Sequence, residues 1–297
     1  PWGQMDKYGV DALRMWMYTV SQPGDSKNYD EKTVDEIVKK VFLILSNCIV
    51  FYETYKGEAT YENSAEEVAK SSSNILDKWV IALFHKMLGD GTGALDAYDT
   101  FRSARAIRDF CNDFSTWYIR RSRDRFKSDD VEDRNNALAT TQYILTEFSK
   151  YLAPFAPFFA EEMYLKVTEG MSMESVHLED WPKGESVSEE LERENILTKM
   201  ENIRKLVTLG LEARQRAGIK VRQPLAKITI TNHEFDSQYL DLLKDEINVK
   251  EVLFDKSLPE DGAVLDTEIT AQLKEEGIVR EFTRSIQDLR KEKGLTP

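Results

Sequence analysis

The chain has 297 residues, 41% of them hydrophobic, and a formal charge of -13, enough for one large domain or two ordinary ones, each with its own core. No apolar run approaches the ~20 residues of a membrane span and no signal-peptide pattern opens the chain, so no membrane role and a cytoplasmic location are expected. Cys48 and Cys111 lie on predicted apolar helix faces without the spacing of a zinc site or a disulfide framework, and reduced core thiols are expected.

In chain order, Trp2, Met5, Tyr8, Leu13, Met15, Trp16 and Met17 crowd the first residues with apolar surface. Residues 5–20 are predicted to form a short helix stopped at Pro23 and Gly24, its apolar side expected to face a preceding domain. Val34, Ile37, Val38, Val41, Leu45, Cys48, Ile49 and Tyr52 recur at spacings of three and four, which predicts a long amphipathic helix over 33–55. The polar stretch 57–73 is expected to be a loop. Leu76, Trp79, Val80, Leu83, Phe84 and Met87 define a second long helix, which the GDGTG run at 89–93 is expected to interrupt as a turn or flexible break. That run follows a helix and lacks a Walker lysine, so it is not read as a phosphate loop.

The stretch from Asp99 to Lys127 is predicted as the central helix, with Asp99 or Thr100 as N-cap. At about 100° per residue, Ile107, Phe110, Cys111, Phe114 and Tyr118 share one side, with Trp117 at its edge. Arg105, Arg120 and Arg123 point the other way, whereas Arg121 and Arg125 fall on or beside the apolar stripe and are expected to tie the helix to carboxylates of its neighbours. The outward arginines are open to two readings, a solvated face or phosphate contacts through paired guanidinium donors.

Farther on, 134–152 reads as a helix ended by Pro154, and Pro157 suits the start of the next one. Residues 176–182 are expected to form an extended strap anchored by Trp181. A charged helix over 189–217, a strand over 226–231, a helix over 235–246, a strand over 249–254 and a last helix over 267–293 follow. The fold class expected is mainly α: a helical bundle followed by a small α+β domain.

Charge is unevenly distributed. Residues 101–127 carry eight Lys or Arg against three Asp, a balance of +5, and residues 199–227 carry eight against two Glu, a balance of +6. An acidic body with two basic segments permits a polyanion partner, because local potential rather than net charge steers it. No chemistry competes with a binding role. His85, His177 and His233 have no metal-ligand spacing and are read as structural, and neither an opposed acid and base nor a nucleophile motif stands out.

Several blocks in collinear order resemble isoleucyl-tRNA synthetase: DKYGVDALRMWM, NYDEKTVDEIVKKVFLILSN, NILDKWVIALFHKM, LDAYDTFRSARAIRDFCNDFSTWYIRRSRDRF, YLAPFAPFFAEEMY, ESVHLEDWP, RQRAGIKVRQPL and VREFTRSIQDLRKEKGL. The run at 117–123 and the run at 214–225 favour that family over its valyl relative, which stands as the alternative, beside a non-catalytic helical module that binds a protein through the apolar N-terminus. The resemblance implies a C-terminal fragment that starts beyond the Lys-Met-Ser-Lys-Ser signature: 1–32 following the catalytic core, 33–185 as the anticodon-binding helical bundle, and 186–297 as a junction-like α+β domain. It implies binding to the anticodon arm of an isoleucine-specific tRNA, with the catalytic domain of the same chain as a further partner, and a monomer. No cofactor is expected in this stretch; ATP and Mg2+ belong to the full-length enzyme, and the stretch alone should be inactive. Arg102, Arg105, Arg120 and Arg123 are the phosphate candidates by wheel position. Trp117, Arg121 and Arg125 enter by resemblance. Arg214, Arg216, Lys220 and Arg222 are candidates for further contacts, or merely solvate a helix end.

Overall fold

The computed structural model describes residues 2–22, 24–169, 174–184, 187–231, 235–259 and 262–294, and for 187–190 and 291 the backbone alone. The chain divides into two compact units, Pro1–Glu194 and Asn195–Pro297.

The first unit is a helical bundle. Helices α1 (Trp2–Tyr8) and α2 (Val10–Thr19) lead into one continuous helix, α3, built from Glu31–Ile37, a π-helical turn at Val38–Phe42 and Leu43–Tyr55. Val34, Val41, Leu45, Cys48, Ile49 and Tyr52 are all buried, as the three-and-four spacing requires. On α2, Ala12, Met15 and Trp16 bury within this unit, while Met17, like Trp2 on α1, stays exposed. Polar contacts fix the same docking. Arg14 donates to the carbonyls of Pro154 at 2.9 Å and Phe155 at 3.2 Å, and Asp11 accepts from the Phe159 amide at 2.7 Å. Asp11 thus caps, from another helix, an N-terminus that begins at Pro157 and offers no side-chain cap of its own. Burial pushes the Asp11 carboxyl up, against the amides of Phe159 and Phe158 that favour its ionised form.

Two expectations fail next. The stretch 57–73 is not all loop, because α4 (Ala65–Ser71) forms behind a capping box in which Ser64 and Glu67 satisfy each other's amides. The GDGTG run does not break its helix either: α5 runs unbroken over Ile75–Asp96. Gly91 is buried against Tyr151, and a Cβ there would collide with the Tyr151 hydroxyl, which lies 2.6 Å from Ser103 Oγ. Absence of a side chain lets α5 lie close to its neighbour, and packing outweighs the low helix propensity of glycine.

Helix α6 (Thr100–Asp113), N-capped by Asp99, passes into a π-helical segment at Phe114–Ile119 and a final turn at Arg120–Ser122. Phe110, Phe114 and Tyr118 stack at 5.8 and 5.7 Å between successive rings. Their spacing of four residues stays in line because a π turn holds more residues than an α turn. Helices α7 (Val131–Leu152) and α8 (Pro157–Val167) complete the bundle. The strap beyond contains one 3-10 turn, Val176–Leu178, and its Trp181 donates to Thr92 Oγ1 at 3.0 Å and packs on Tyr151 at 5.2 Å.

Helix α9 (Val187–Arg216) leads into the second unit. There β1 (Leu225–Ile230) pairs in parallel with β2 (Val249–Phe254) across α10 (Ser237–Ile247), and antiparallel with β3 (Ala263–Leu265), giving the order β2-β1-β3. The three-residue β3 had no signature of its own in the sequence. Helix α11 (Ala271–Glu292) is the last element.

Candidate nucleic-acid interface

The end of α6 is held by a buried carboxylate. Asp77, fully buried on α5, accepts from Ser72 Oγ at 2.6 Å, from the Tyr118 hydroxyl at 2.9 Å and from both terminal nitrogens of Arg125 at 2.8 and 2.7 Å. Arg125 Nε turns to Asp133 at 2.9 Å. A charge taken out of water survives only when it is paired and its remaining lone pairs are satisfied, and this cluster meets both conditions. Burial works against the Arg125 charge, yet the hydrogen bonds it donates to Asp77 hold its pKa above the ordinary guanidinium value. Burial, followed by the Asp77 charge, likewise pushes the Tyr118 phenol well up, so it remains a donor.

Around that anchor the predicted residues separate. Arg102, Arg105, Arg120 and Arg123 are exposed. Arg105 lies over the Phe101 ring at 4.7 Å and Arg123 over Phe51 at 6.0 Å, while Arg120 Nε donates to Thr116 O at 2.6 Å. These contacts orient the guanidinium groups while leaving the side chains at the surface. At about 1.5 Å per residue, Arg102 and Arg120 stand about 27 Å apart along the helix. Arg121 and Trp117 are half-buried, Trp117 edge-on to Trp79 at 6.5 Å. Arg125 does not belong with the phosphate candidates: its side chain is 11% exposed and both ends of its fork are occupied by carboxylates.

The second basic segment is put to a different use. Arg214 is 1% exposed and donates to four main-chain carbonyls: Ile247 at 2.6 Å, Asn248 at 2.8 Å, Gln223 at 2.9 Å and Lys220 at 3.1 Å. It caps the C-terminus of α10, where a cation meets the negative end of the helix dipole, and it stitches the 217–224 turn to that end. Burial lowers its pKa to about 10, which leaves it charged at neutral pH. It is therefore a structural residue and not a surface contact. Lys220 and Arg222 share Glu281 on α11 at 3.3 and 3.1 Å, and Arg216 is exposed at the helix end.

The remaining sequence candidates are quickly placed. Cys48 and Cys111 are buried and unlinked, the Cys48 thiol pushed up to about 12 by burial. His85 is buried with Nε2 3.1 Å from the Tyr143 hydroxyl, His177 is exposed, and His233 lies outside the described residues. Among the described residues no cluster of His, Cys, Asp and Glu is arranged to hold a metal, and no helix is long and apolar enough to cross a membrane. Asp77 was missed in the sequence, although an acidic residue set among Leu76, Trp79 and Val80 on a buried helix face was a visible signal.

The first unit is thus an α-helical bundle that carries a basic, firmly anchored helix. The chain belongs to the family of anticodon-binding domains of tRNA ligases, whose profile matches residues 77–231, just over half of it. Among curated proteins it is similar to isoleucine–tRNA ligases. It is 32% identical over 98% of its length to that of Dehalococcoides mccartyi strain CBDB1, 33% over 98% to that of Clostridium tetani, and 36% over 86% to that of Chlamydia trachomatis serovar D. The matches cover 30%, 28% and 25% of those relatives, so the chain spans less than a third of their length. A solved ternary complex of Agrobacterium radiobacter K84 LeuRS with tRNA and LeuAMS matches 61% of this chain and 20% of that one at 16% identity, with a TM-score of 0.41, too low to add to the assignment.

Proposed function

We propose that this chain is the anticodon-arm-binding portion of an isoleucine–tRNA ligase, acting in the cytoplasm as part of a monomeric enzyme. It grips the RNA along α6 and helps to place the acceptor end in a catalytic core carried elsewhere in the longer protein. ATP and Mg2+ belong to that core, and this stretch alone forms no aminoacyl adenylate. The observation that supports the reading is the exposed set Arg102, Arg105, Arg120 and Arg123 along a helical rod whose end is locked by the Asp77–Arg125–Asp133 cluster. Guanidinium groups on a rigid rod contact phosphates at fixed spacing, which sets register, while base identity is read by side chains meeting unstacked bases.

The test is the affinity of the chain for an isoleucine tRNA and for an unrelated tRNA at two salt concentrations. Salt-sensitive binding that prefers the isoleucine tRNA supports the whole reading. Equal binding to both would remove isoleucine specificity from this stretch, and no binding to either would remove the RNA role.

A further inference from the structure

A cavity of about 210 Å³ opens in the first unit where α2, α3 and α6 meet, lined by Trp16, Val20, Ile37, Lys40, Arg105 and Arg108 among others. Its floor is apolar: Trp16 and Ile37 are buried side chains, and the Trp16 indole is fixed by its Nε1 donating to Thr33 Oγ1 at 2.7 Å. Its rim is cationic. Lys40, Arg105 and Arg108 stand against one lining carboxylate, Glu36, which Lys40 reaches at 2.8 Å. Asp109, outside the lining, lies 3.5 Å from Arg108 Nε in an exposed pair of little strength.

We infer that this cavity receives one unstacked nucleotide of the bound RNA, its base on the Trp16 and Ile37 floor and its phosphate between Arg105, Arg108 and Lys40. The inference rests on the RNA-binding reading above and deepens it. At about 210 Å³ the cavity lies below the range of about 300–1,000 Å³ of pockets for drug-sized ligands and suits a base-sized group. The pairing of an apolar floor with a cationic rim matches a nucleotide, which carries a flat apolar face and an anion a few ångströms apart. Position supplies the RNA context: Arg105 belongs both to the exposed arginines of α6 and to the rim, so an RNA backbone held at Arg102 and Arg105 passes the cavity mouth. The N-terminal helices then contribute directly to the interface, through Trp16 and Val20 on and just beyond α2.

The experiment uses the full chain with tRNA and, separately, uridine monophosphate and inorganic phosphate as probes of the cavity. In Lys40→Ala/Arg108→Ala, tRNA affinity should fall about tenfold, with a shallower salt slope. Val20→Trp, which fills the mouth without touching a charge, should weaken tRNA binding about threefold through lost base contact. Uridine monophosphate should shift the indole N–H resonance of Trp16, and inorganic phosphate should shift it less. Unchanged tRNA affinity in both variants, with a Trp16 resonance indifferent to uridine monophosphate, overturns the cavity while leaving tRNA binding intact. If no variant and no parent chain binds tRNA, the functional reading fails, and the uridine monophosphate titration still decides the cavity.

Discussion

Between Phe101 and Lys127 four arginines stand exposed around one helix, whereas between Lys199 and Lys227 one arginine is buried in the fold and others stand in surface ion pairs. Arg214 holds four carbonyls, Lys220 and Arg222 share Glu281, and Lys199 and Lys205 lie 3.3 and 3.0 Å from Asp236 and Glu201. The balances are nearly equal, +5 and +6, yet the two segments offer an approaching polyanion different surfaces. A local charge count measures potential, and what a ligand meets depends on which charges the fold has consumed.

The comparison breaks most readily at its two buried arginines. Asp77→Ala should cost the first unit about 3–5 kcal/mol by leaving Arg125 buried against a single carboxylate, read by chemical denaturation; a loss below 1 kcal/mol would mean that the cluster does not anchor α6. Arg214→Met should cost the second unit about 3 kcal/mol, since four carbonyls lose a charged donor, while tRNA binding is altered little under conditions where the unit stays folded. A loss of binding without a loss of stability would return Arg214 to the surface candidates. Gly91→Ala should destabilise the first unit by about 1–3 kcal/mol through overpacking, and Tyr151→Phe in the same chain should recover part of that, a coupling that a double-mutant cycle measures.

Smaller effects sharpen the contrast at the surface. Arg120→Ala/Arg123→Ala should weaken tRNA binding about tenfold and reduce the salt slope by about 2, whereas Lys220→Ala/Arg222→Ala should change affinity by less than about twofold. Equal losses in the two pairs would erase the distinction between the segments. The smallest effect lies at Glu281, whose pKa is lowered by hydrogen bonds from Arg222 and Lys220. A carboxylate with a depressed folded pKa stabilises above its usual value of 4.5 and loses that contribution as pH falls through the folded value. Titration of the Glu281 carboxyl should show the downward shift and its loss in Lys220→Ala/Arg222→Ala.

How much of this was legible depends on where a residue's partners lie. The helix over 33–55 and the inward turn of Arg125 were written in spacing, because the apolar stripe and the cation beside it are local in sequence. Gly91 was misread because its reason is Tyr151, 60 positions away, and nothing near the GDGTG run advertises that close approach. Arg214 was misread for a deeper reason. Its partners are main-chain carbonyls, which every residue carries, so no partner residue type marks the site. The capping box of Ser64 and Glu67 was in plain view, as Ser-x-x-Glu, inside a stretch whose polarity suggested a loop.

The π-helical segment at Phe114–Ile119 sets an angle as well as a packing line. One extra residue wound into a helix offsets everything downstream by about 100° relative to the unbroken α phase. Arg105 lies before the offset; Arg120 and Arg123 lie after it. The segment therefore works as a phase shifter in the middle of a toothed rod: on an unbroken α phase Arg120 and Arg123 would stand in line with Arg102 and Arg105, the extra residue turns them about 100° aside, and a single-residue deletion within it would bring the later teeth back into line without removing any of them.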